Sequence, residues 1–516
     1  MTGNAVASPH SLSVSAGELI LRNGGNAVDA AIATVAAQGV VAPETCGVGG
    51  DLFALIHRPG WSQPLALNSS GRSGSGAGPS PLNRAGHAEI PEDSPLVATI
   101  PGCVDGLAEL SHRLGSLSLA DCLQPAIRLA TQGFEVSVEQ AGAFERRKQV
   151  IGQHPAVSEF YPSGITVRPG ETVLRRPLAI ALDSIATEGR NAFYLGTPGE
   201  DIIDAVGGLI TKSDLQMNQA EWIDPIGVEV AGLTAWTTPP NSQGYLGPST
   251  LAVLEMVNPP TDPQDPLWWH LMIEACRSLA WERNDLVSDP DHVSLPASLL
   301  MDPARLERAA AFVSADRSGI WPQMGTPADT AYMCTADTSG MAVSIIQSNY
   351  RGIGSPFGAA RSGFMLQDRG LGFNLVPGHS NELGPGKRPL HTLSPTIWTD
   401  GDQPRWVLGT RGGAIQPQIV AQVAARAILG DSSIEDAQAA PRWSISDFGP
   451  FSQPVLAVEP GVSSDVVSGL HTRGHQVEQL DRSQLGWGPV SIIELDGSTR
   501  RTAADPRVET TAALCW

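Results

Sequence analysis

Two apolar β-patterned runs, Thr330–Ala336 and Met341–Ser348, are joined by Asp337-Thr338-Ser339-Gly340. Four turn-forming residues between such runs predict a β-hairpin. The hairpin follows a polar, Pro- and Gly-bearing stretch, 314–329, which reads as a linker. Before it the chain is mainly helical in pattern. Ala31–Val40 is small and apolar, as in a closely packed helix. In Pro101–Gly133, Val104, Leu107, Leu110 and Leu114 recur at helical spacing, and Leu119–Leu129, Leu251–Val257 and Trp268–Glu282 continue the pattern. Strands are predicted over Leu52–His57, after a Gly-rich loop, and over Val228–Thr237. Beyond the hairpin, Ser394–Trp398 and Trp406–Gly409 predict a second strand pair, Ile415–Leu429 a helix, and Val455–Ile493 a mixture of strand and turn. Helices on either side of paired strands predict an α+β protein with layered αββα architecture.

Composition narrows the function. Lys and Arg total 33 against 53 Asp and Glu, so the net charge is 33 − 53 = −20. Such a surface argues against nucleic acid and anionic membrane as partners. No apolar run reaches the roughly 18 residues needed to span a bilayer. The first nine residues carry no Lys or Arg, so no signal peptide is expected and a cytoplasmic location is. Six scattered cysteines and eleven histidines lack metal-ligand spacing; His471 and His475 stand four apart but have no flanking carboxylate. No metal or cofactor is expected. Phosphate-loop, zinc-protease and nucleophile-elbow motifs are missing.

Several segments together resemble the gamma-glutamyltransferase family of N-terminal-nucleophile hydrolases. They are Gly24–Ala33, Cys46–His57, Ile100–Leu110, Leu123–Phe134, Thr238–Gly244, Ser288–Leu300, Thr330–Ser348, Gly386–Thr396, Gly409–Gly413 and Glu435–Trp443. Each is short, but they are collinear over nearly the whole chain. The resemblance implies a four-layer αββα sandwich made as one precursor that cuts itself before a threonine. Thr330 holds that position. Cleavage of Asp329–Thr330 would give a large subunit, 1–329, and a small subunit, 330–516, intertwined in one fold. The oligomeric state stays open.

The chemistry explains the arrangement. A threonine hydroxyl is a poor nucleophile unaided. A free α-amino group has a pKa near ~8 and can take the hydroxyl proton. By resemblance, Ser348 is the second hydroxyl, bonding the nucleophile, and the N–H groups of Gly412 and Gly413 form the oxyanion hole. The resulting acyl-enzyme passes its acyl group to water or to an amine, so the partner is a small-molecule amide.

The glutamyl pocket departs from the family. The arginine expected to bind the α-carboxylate is replaced by Ser70, with Arg72 two residues later. The acid expected to bind the α-amine is Gly372, and the nearby glutamine is Arg369. A serine pair reads His391-Thr392, and an asparagine reads Tyr350. These changes imply an anionic acyl group without a positive α-amine, as in the branch of cephalosporin-type acylases and oxamate amidohydrolases. Arg72, Tyr350, Arg369, His391 and Thr392 are the candidate substrate-binding residues. The favoured activity is hydrolysis or acyl transfer on gamma-glutamyl or related anionic acyl amides. The rivals are a non-glutamyl amidohydrolase or acylase, and an unprocessed homologue without catalysis.

Overall fold

The computed structural model describes residues 3–293, 296–322, 328–430, 432–445 and 454–516. Two antiparallel sheets form its centre. In the first, seven strands run in the order Ala512–Cys515, Ala5–Ser8, Ala331–Ala336, Ala342–Ser348, Asp51–His57, Leu65–Ser69, Glu221–Ile223. In the second, six strands run Thr499–Thr502, Val490–Asp496, Gln403–Thr410, Thr396–Asp400, Leu233–Thr237, Ile226–Val230. The predicted hairpin thus lies in the middle of the first sheet, paired on both sides.

Alternation along the central strands generates the four layers. Leu52, Ala54, Ile56, Met333, Val343 and Ile345 face a core shared with helices such as Ala27–Val41 and Leu119–Gln132. Their neighbours Phe53, Leu55, Tyr332, Cys334 and Ile346 face the other way, onto Ile397, Val407 and Ile493 of the second sheet. Leu408 and Ile492, on the far face of that sheet, pack against Leu246–Met256, Pro266–Ala280 and Gln416–Ala424. Successive strand residues point to opposite faces, and here both faces are covered. The architecture is the four-layer αββα sandwich.

Several boundaries differ from the sequence reading. Val228–Thr237 is a hairpin, Ile226–Val230 and Leu233–Thr237, rather than one strand. Ala231 (φ 52°) and Gly232 (φ 76°) reverse the chain between them, a tight turn whose twist suits paired strands. The second strand pair is longer than predicted, Thr396–Asp400 and Gln403–Thr410, because Gly401 permits a short turn. The helix after it is regular only over Gln416–Ala424 and ends in a wider π turn, Ala425–Leu429. The tail also contains a helix, Ser464–Thr472, capped by Ser463. Within the predicted linker, 323–327 fall outside the described residues. Among the described residues, no helix is long and apolar enough to cross a membrane.

The Gly24–Ala33 segment has a local physical logic. Asn26 caps Ala27–Val41, accepting from the N–H groups of Val28 and Asp29, while the Asp29 carboxylate accepts from the Asn26 N–H. The same helix end is tied to the hairpin that follows Thr330. Asp337 Oδ2 accepts from the Ala27 N–H at 2.9 Å, and Oδ1 accepts from Ser339 N, Ser339 Oγ and Met341 N. A carboxylate at a helix N-terminus also meets the positive end of the helix dipole. Asp337→Ala should therefore remove about 2–3 kcal/mol of stability, read as a thermal midpoint lower by a few degrees. An unchanged midpoint would show that the turn holds without this carboxylate.

Candidate active site

Strand register brings the two hydroxyls together. Ala331 pairs with Gln347, so Thr330 and Ser348 occupy the next opposed position. Thr330 Oγ1 lies 3.2 Å from Ser348 Oγ. Both reach the carbonyl oxygen of Asp329, Thr330 Oγ1 at 2.6 Å and Ser348 Oγ at 2.8 Å. The backbone N–H of Tyr350 donates to Ser348 Oγ at 2.8 Å. The Gln416 amide lies 3.4 Å from Thr330 Oγ1 and its carbonyl accepts from Ser394 N–H. Thr330 and Ser348 are buried.

Glycines let the backbone close around these groups. A Cβ on Gly50 would stand 2.2 Å from the Ser348 carbonyl oxygen, so only glycine lets the loop approach there. Gly412 (φ 131°) and Gly413 (φ 56°) form the bend after Gln403–Thr410. A Cβ on Gly413 would fall 2.4 Å from Ala328 N. The Gly412-Gly413 bend therefore packs directly on the chain entering the Asp329–Thr330 bond.

An acid cluster lies beside that bond. Arg411 pairs with Glu139 at 2.7 Å, and its charge also acts on Asp329 and Glu44. Burial raises the Asp329 carboxyl, with Arg411 opposing the shift. Burial and then Glu139 raise Glu44 from 4.5 to about 8, while Arg411 pulls it down. Glu44 Oε2 is buried and has no hydrogen-bond partner among the described residues.

The candidate substrate residues separate into two groups. Tyr350 and Arg369 line a cavity of about 410 Å³, together with Gly372 and Arg283. Arg369 is 1% exposed. Its Nη1 donates to Thr392 Oγ1 at 3.1 Å, and its guanidinium lies 3.3 Å from the Tyr350 ring centroid. Among the described residues, its Nε and Nη2 have no hydrogen-bond partner. Burial lowers its pKa, which Tyr350, Asp368 and Asp51 counteract. Tyr350 has φ 78°, a costly backbone conformation for a residue with a side chain. It joins Ser348 through its N–H to Arg369 through its ring.

Gly372 and Arg369 are spatially linked. A Cβ at Gly372 would lie 2.6 Å from the Leu390 carbonyl oxygen and 2.9 Å from Arg369 Nη2. An acidic side chain at 372 is thus sterically incompatible with this backbone and this arginine.

Arg72 and His391 are placed elsewhere. Arg72 Nη2 is bonded to Glu221 at 2.7 Å, and Arg388 binds the second oxygen of the same carboxylate. His391 Nε2 lies 3.1 Å from Asp51 Oδ2, and its Nδ1 accepts from Leu393 N–H at 3.3 Å. Its ring packs edge-on against Phe53. Burial lowers His391 to about 4, so it is neutral and donates through Nε2. Neither residue lines the cavity.

One cluster of metal-ligand types was not anticipated. His270, Glu274 and His475 converge in the second helical layer. Their geometry is that of an internal polar network. His270 Nδ1 and His475 Nε2 share a hydrogen bond of 2.8 Å, and Glu274 pairs with Arg277 at 2.6 Å. The sequence reading also missed Glu44, Gln243, Arg283 and Gln416. Gln243 and Glu44 lie in or next to quoted motifs, whereas periodicity gives Arg283 no more than a place after a helix.

Over residues 13–515 the chain matches the gamma-glutamyltranspeptidase family. It is 33% identical to the glutathione hydrolase-like YwrD proenzyme of Bacillus subtilis, over 98% of this chain and 97% of that protein. It is 32% identical to the oxamate amidohydrolase proenzyme of Klebsiella pneumoniae, over 99% and 98% of the two chains. The cephalosporin acylase structure from Bacillus halodurans superposes with a TM-score of 0.90 at 32% identity, covering 99% of this chain and 96% of that one.

The Glu44 shift gives a stability prediction with a definite sign. Its folded-state pKa, about 8, exceeds the unfolded value of 4.5. The folded chain therefore holds the proton more tightly, and Glu44 destabilises it progressively as pH rises from 4.5 to 8. Glu44→Gln should add little at pH 5 and on the order of 5 kcal/mol at pH 9, measured as the difference in thermal midpoint from the parent at each pH. The same shift at both pH values would contradict this protonation state.

Proposed function

The chain belongs to the gamma-glutamyltranspeptidase family of amide hydrolases, and on that premise we propose a self-processing enzyme whose nucleophile is Thr330. The observation that carries this reading is the contact of Thr330 Oγ1 and Ser348 Oγ with the Asp329 carbonyl oxygen, at 2.6 and 2.8 Å. In maturation, Thr330 Oγ1 attacks the Asp329 carbonyl carbon. The C–N bond then breaks, its nitrogen takes a proton, and Asp329 is left as an ester on Thr330. Water hydrolyses the ester, freeing the Asp329 carboxylate and the Thr330 α-amine.

The same atoms then turn over substrate. The α-amine, with a pKa near ~8, accepts the hydroxyl proton as Oγ1 attacks the substrate amide. Ser348 orients Oγ1, and the N–H groups of Gly412 and Gly413 receive the oxyanion. Each such donor is worth roughly 3 kcal/mol in the transition state. The leaving amine departs with the proton, and water or a second amine takes the acyl group.

The acyl group of this reading carries a carboxylate and lacks an α-amine. Arg369, a buried guanidinium that lines the cavity and has two nitrogen donors without a hydrogen-bond partner among the described residues, supports it. A charge-assisted pair to a carboxylate would satisfy those donors, whereas a buried ammonium beside them would lack a partner. The contact of Arg72 with Glu221 makes it the weaker candidate. The relatives named as oxamate amidohydrolase and cephalosporin acylase belong to the same range of chemistry.

Purified protein should run as fragments of 329 and 187 residues (516 − 329), the smaller beginning at Thr330. Thr330→Ala should leave one chain. A small fragment with any other first residue would refute the cleavage site. Once mature, Ser348→Thr should retain most activity and Ser348→Ala should lose about 10–100-fold in kcat; equal rates would remove Ser348 from the mechanism. On matched anilides, glutaryl should be cleaved at least as well as gamma-glutamyl, and Arg369→Ala should act chiefly on KM. A clear gamma-glutamyl preference in kcat/KM would restore the glutathione-cleaving reading.

A further inference from the structure

Arg283 is a second buried guanidinium in the cavity that holds Arg369. Its Nε donates to Gln243 Oε1 at 2.6 Å and its Nη1 to Asn284 Oδ1 at 2.7 Å. Both acceptors are neutral amides. They orient the guanidinium without cancelling its charge. Arg369 is treated the same way, by a threonine hydroxyl and a tyrosine ring. Among the described residues, neither arginine forms an ion pair with a carboxylate. Asp51, the acid nearest in influence to Arg369 after Asp368, is already bonded to Gly71, Gln367 and His391. The carboxylates lining the cavity, Glu89 and Glu92, are exposed, and Glu92 pairs with Arg351.

Two like charges buried around one cavity are unfavourable in the empty protein. Burial lowers the Arg283 pKa to about 10, and Arg369 adds to that shift while Tyr350 and Tyr245 oppose it. Arg283 stays charged at neutral pH. Such an arrangement is stable in function when an anion sits between the charges. Arg283 is also connected to the reaction centre. The Gln243 side chain that holds it donates to the Gly413 carbonyl at 3.0 Å and lies 3.3 Å from that of Thr392. One amide thus fixes Arg283 relative to the Gly412-Gly413 bend and to the residue that holds Arg369.

Building on the function proposed above, we propose that Arg283 and Arg369 together form a two-armed site for the terminal carboxylate of the acyl group, so that Arg283 is a specificity-determining residue. A short dicarboxylic half-amide, with one carboxyl in the scissile amide and the other free, is the substrate class this arrangement selects. A neutral acyl chain of equal length leaves both arginines unpaired, and an α-ammonium adds a third positive charge.

The test compares glutaryl and valeryl p-nitroanilides on self-cleaved parent, Arg283→Gln and Arg283→Lys enzymes. For Arg283→Gln, kcat/KM on the glutaryl substrate should fall about 30–100-fold, mostly through KM, with less than about 3-fold change on valeryl. Arg283→Lys keeps the charge and loses the fork, so it should recover part of the loss. Free glutarate should inhibit the parent and lose about 10-fold or more in potency against either variant. Equal losses on both substrates, or unchanged glutarate inhibition, would overturn the role of Arg283. If Arg283→Gln does not self-cleave, the Lys variant and glutarate inhibition decide by the same criteria. A parent enzyme that prefers gamma-glutamyl to glutaryl anilide would instead overturn the underlying substrate reading.

Discussion

The antiparallel register of Ala331–Ala336 with Ala342–Ser348 fixes the chemistry of the site. Side chains along a strand alternate with period two, so a slip of one residue would turn Thr330 and Ser348 to different faces. Pairing of Ala331 with Gln347 prevents that slip and sets the two hydroxyls opposite each other. The register is held by burial on both faces and by pairing on both edges. Asp337 closes the turn and anchors it to the start of Ala27–Val41. Distant sequence segments therefore serve one short distance, that between Thr330 and Ser348.

Electrostatics divides the surroundings of this pair into two regions. Beside Asp329 lie Glu44 and Glu139 with Arg411 among them, and burial keeps a proton on Glu44 near neutral pH. On the Tyr350 side, Arg283 and Arg369 line one cavity, and among the described residues neither is ion-paired with a carboxylate. The first region is rich in acid where the proposed self-cleavage would release a new carboxylate. The second is rich in cation where an anionic acyl chain would be held. Tyr350, in a strained backbone conformation, links Ser348, through its N–H, to the cavity that its side chain lines.

Much of the fold was legible because both sheets are buried on both faces. Their strands read as apolar runs, and the hairpin turn Asp337–Gly340 stands out between two of them. The hairpin at Ala231-Gly232 was hidden because its strands are short and alternate in phase, so ten residues read as one strand. The Asp329, Thr330, Ser348, Gly412 and Gly413 group came from motif resemblance, and the geometry gathers it around one peptide bond. The pocket was harder to read. Arg72 and Arg369 look alike in sequence, yet Glu221 neutralises the first while the second keeps free donors. Glu221 is 149 residues from Arg72, and no local pattern announces such a partner. Arg283 has the same difficulty, since its meaning depends on Gln243 and Asn284 being neutral and on Arg369 being near.

The central claim is that Thr330 carries the acyl group, and the most direct measurement is the mass of the enzyme quenched with acid during turnover of a glutaryl ester. The account predicts a small fragment beginning at Thr330 that bears one glutaryl group, mapped to Thr330 Oγ1, and an unmodified large fragment. An acyl group on any other residue, or turnover by a chain still intact at Asp329–Thr330, would contradict it.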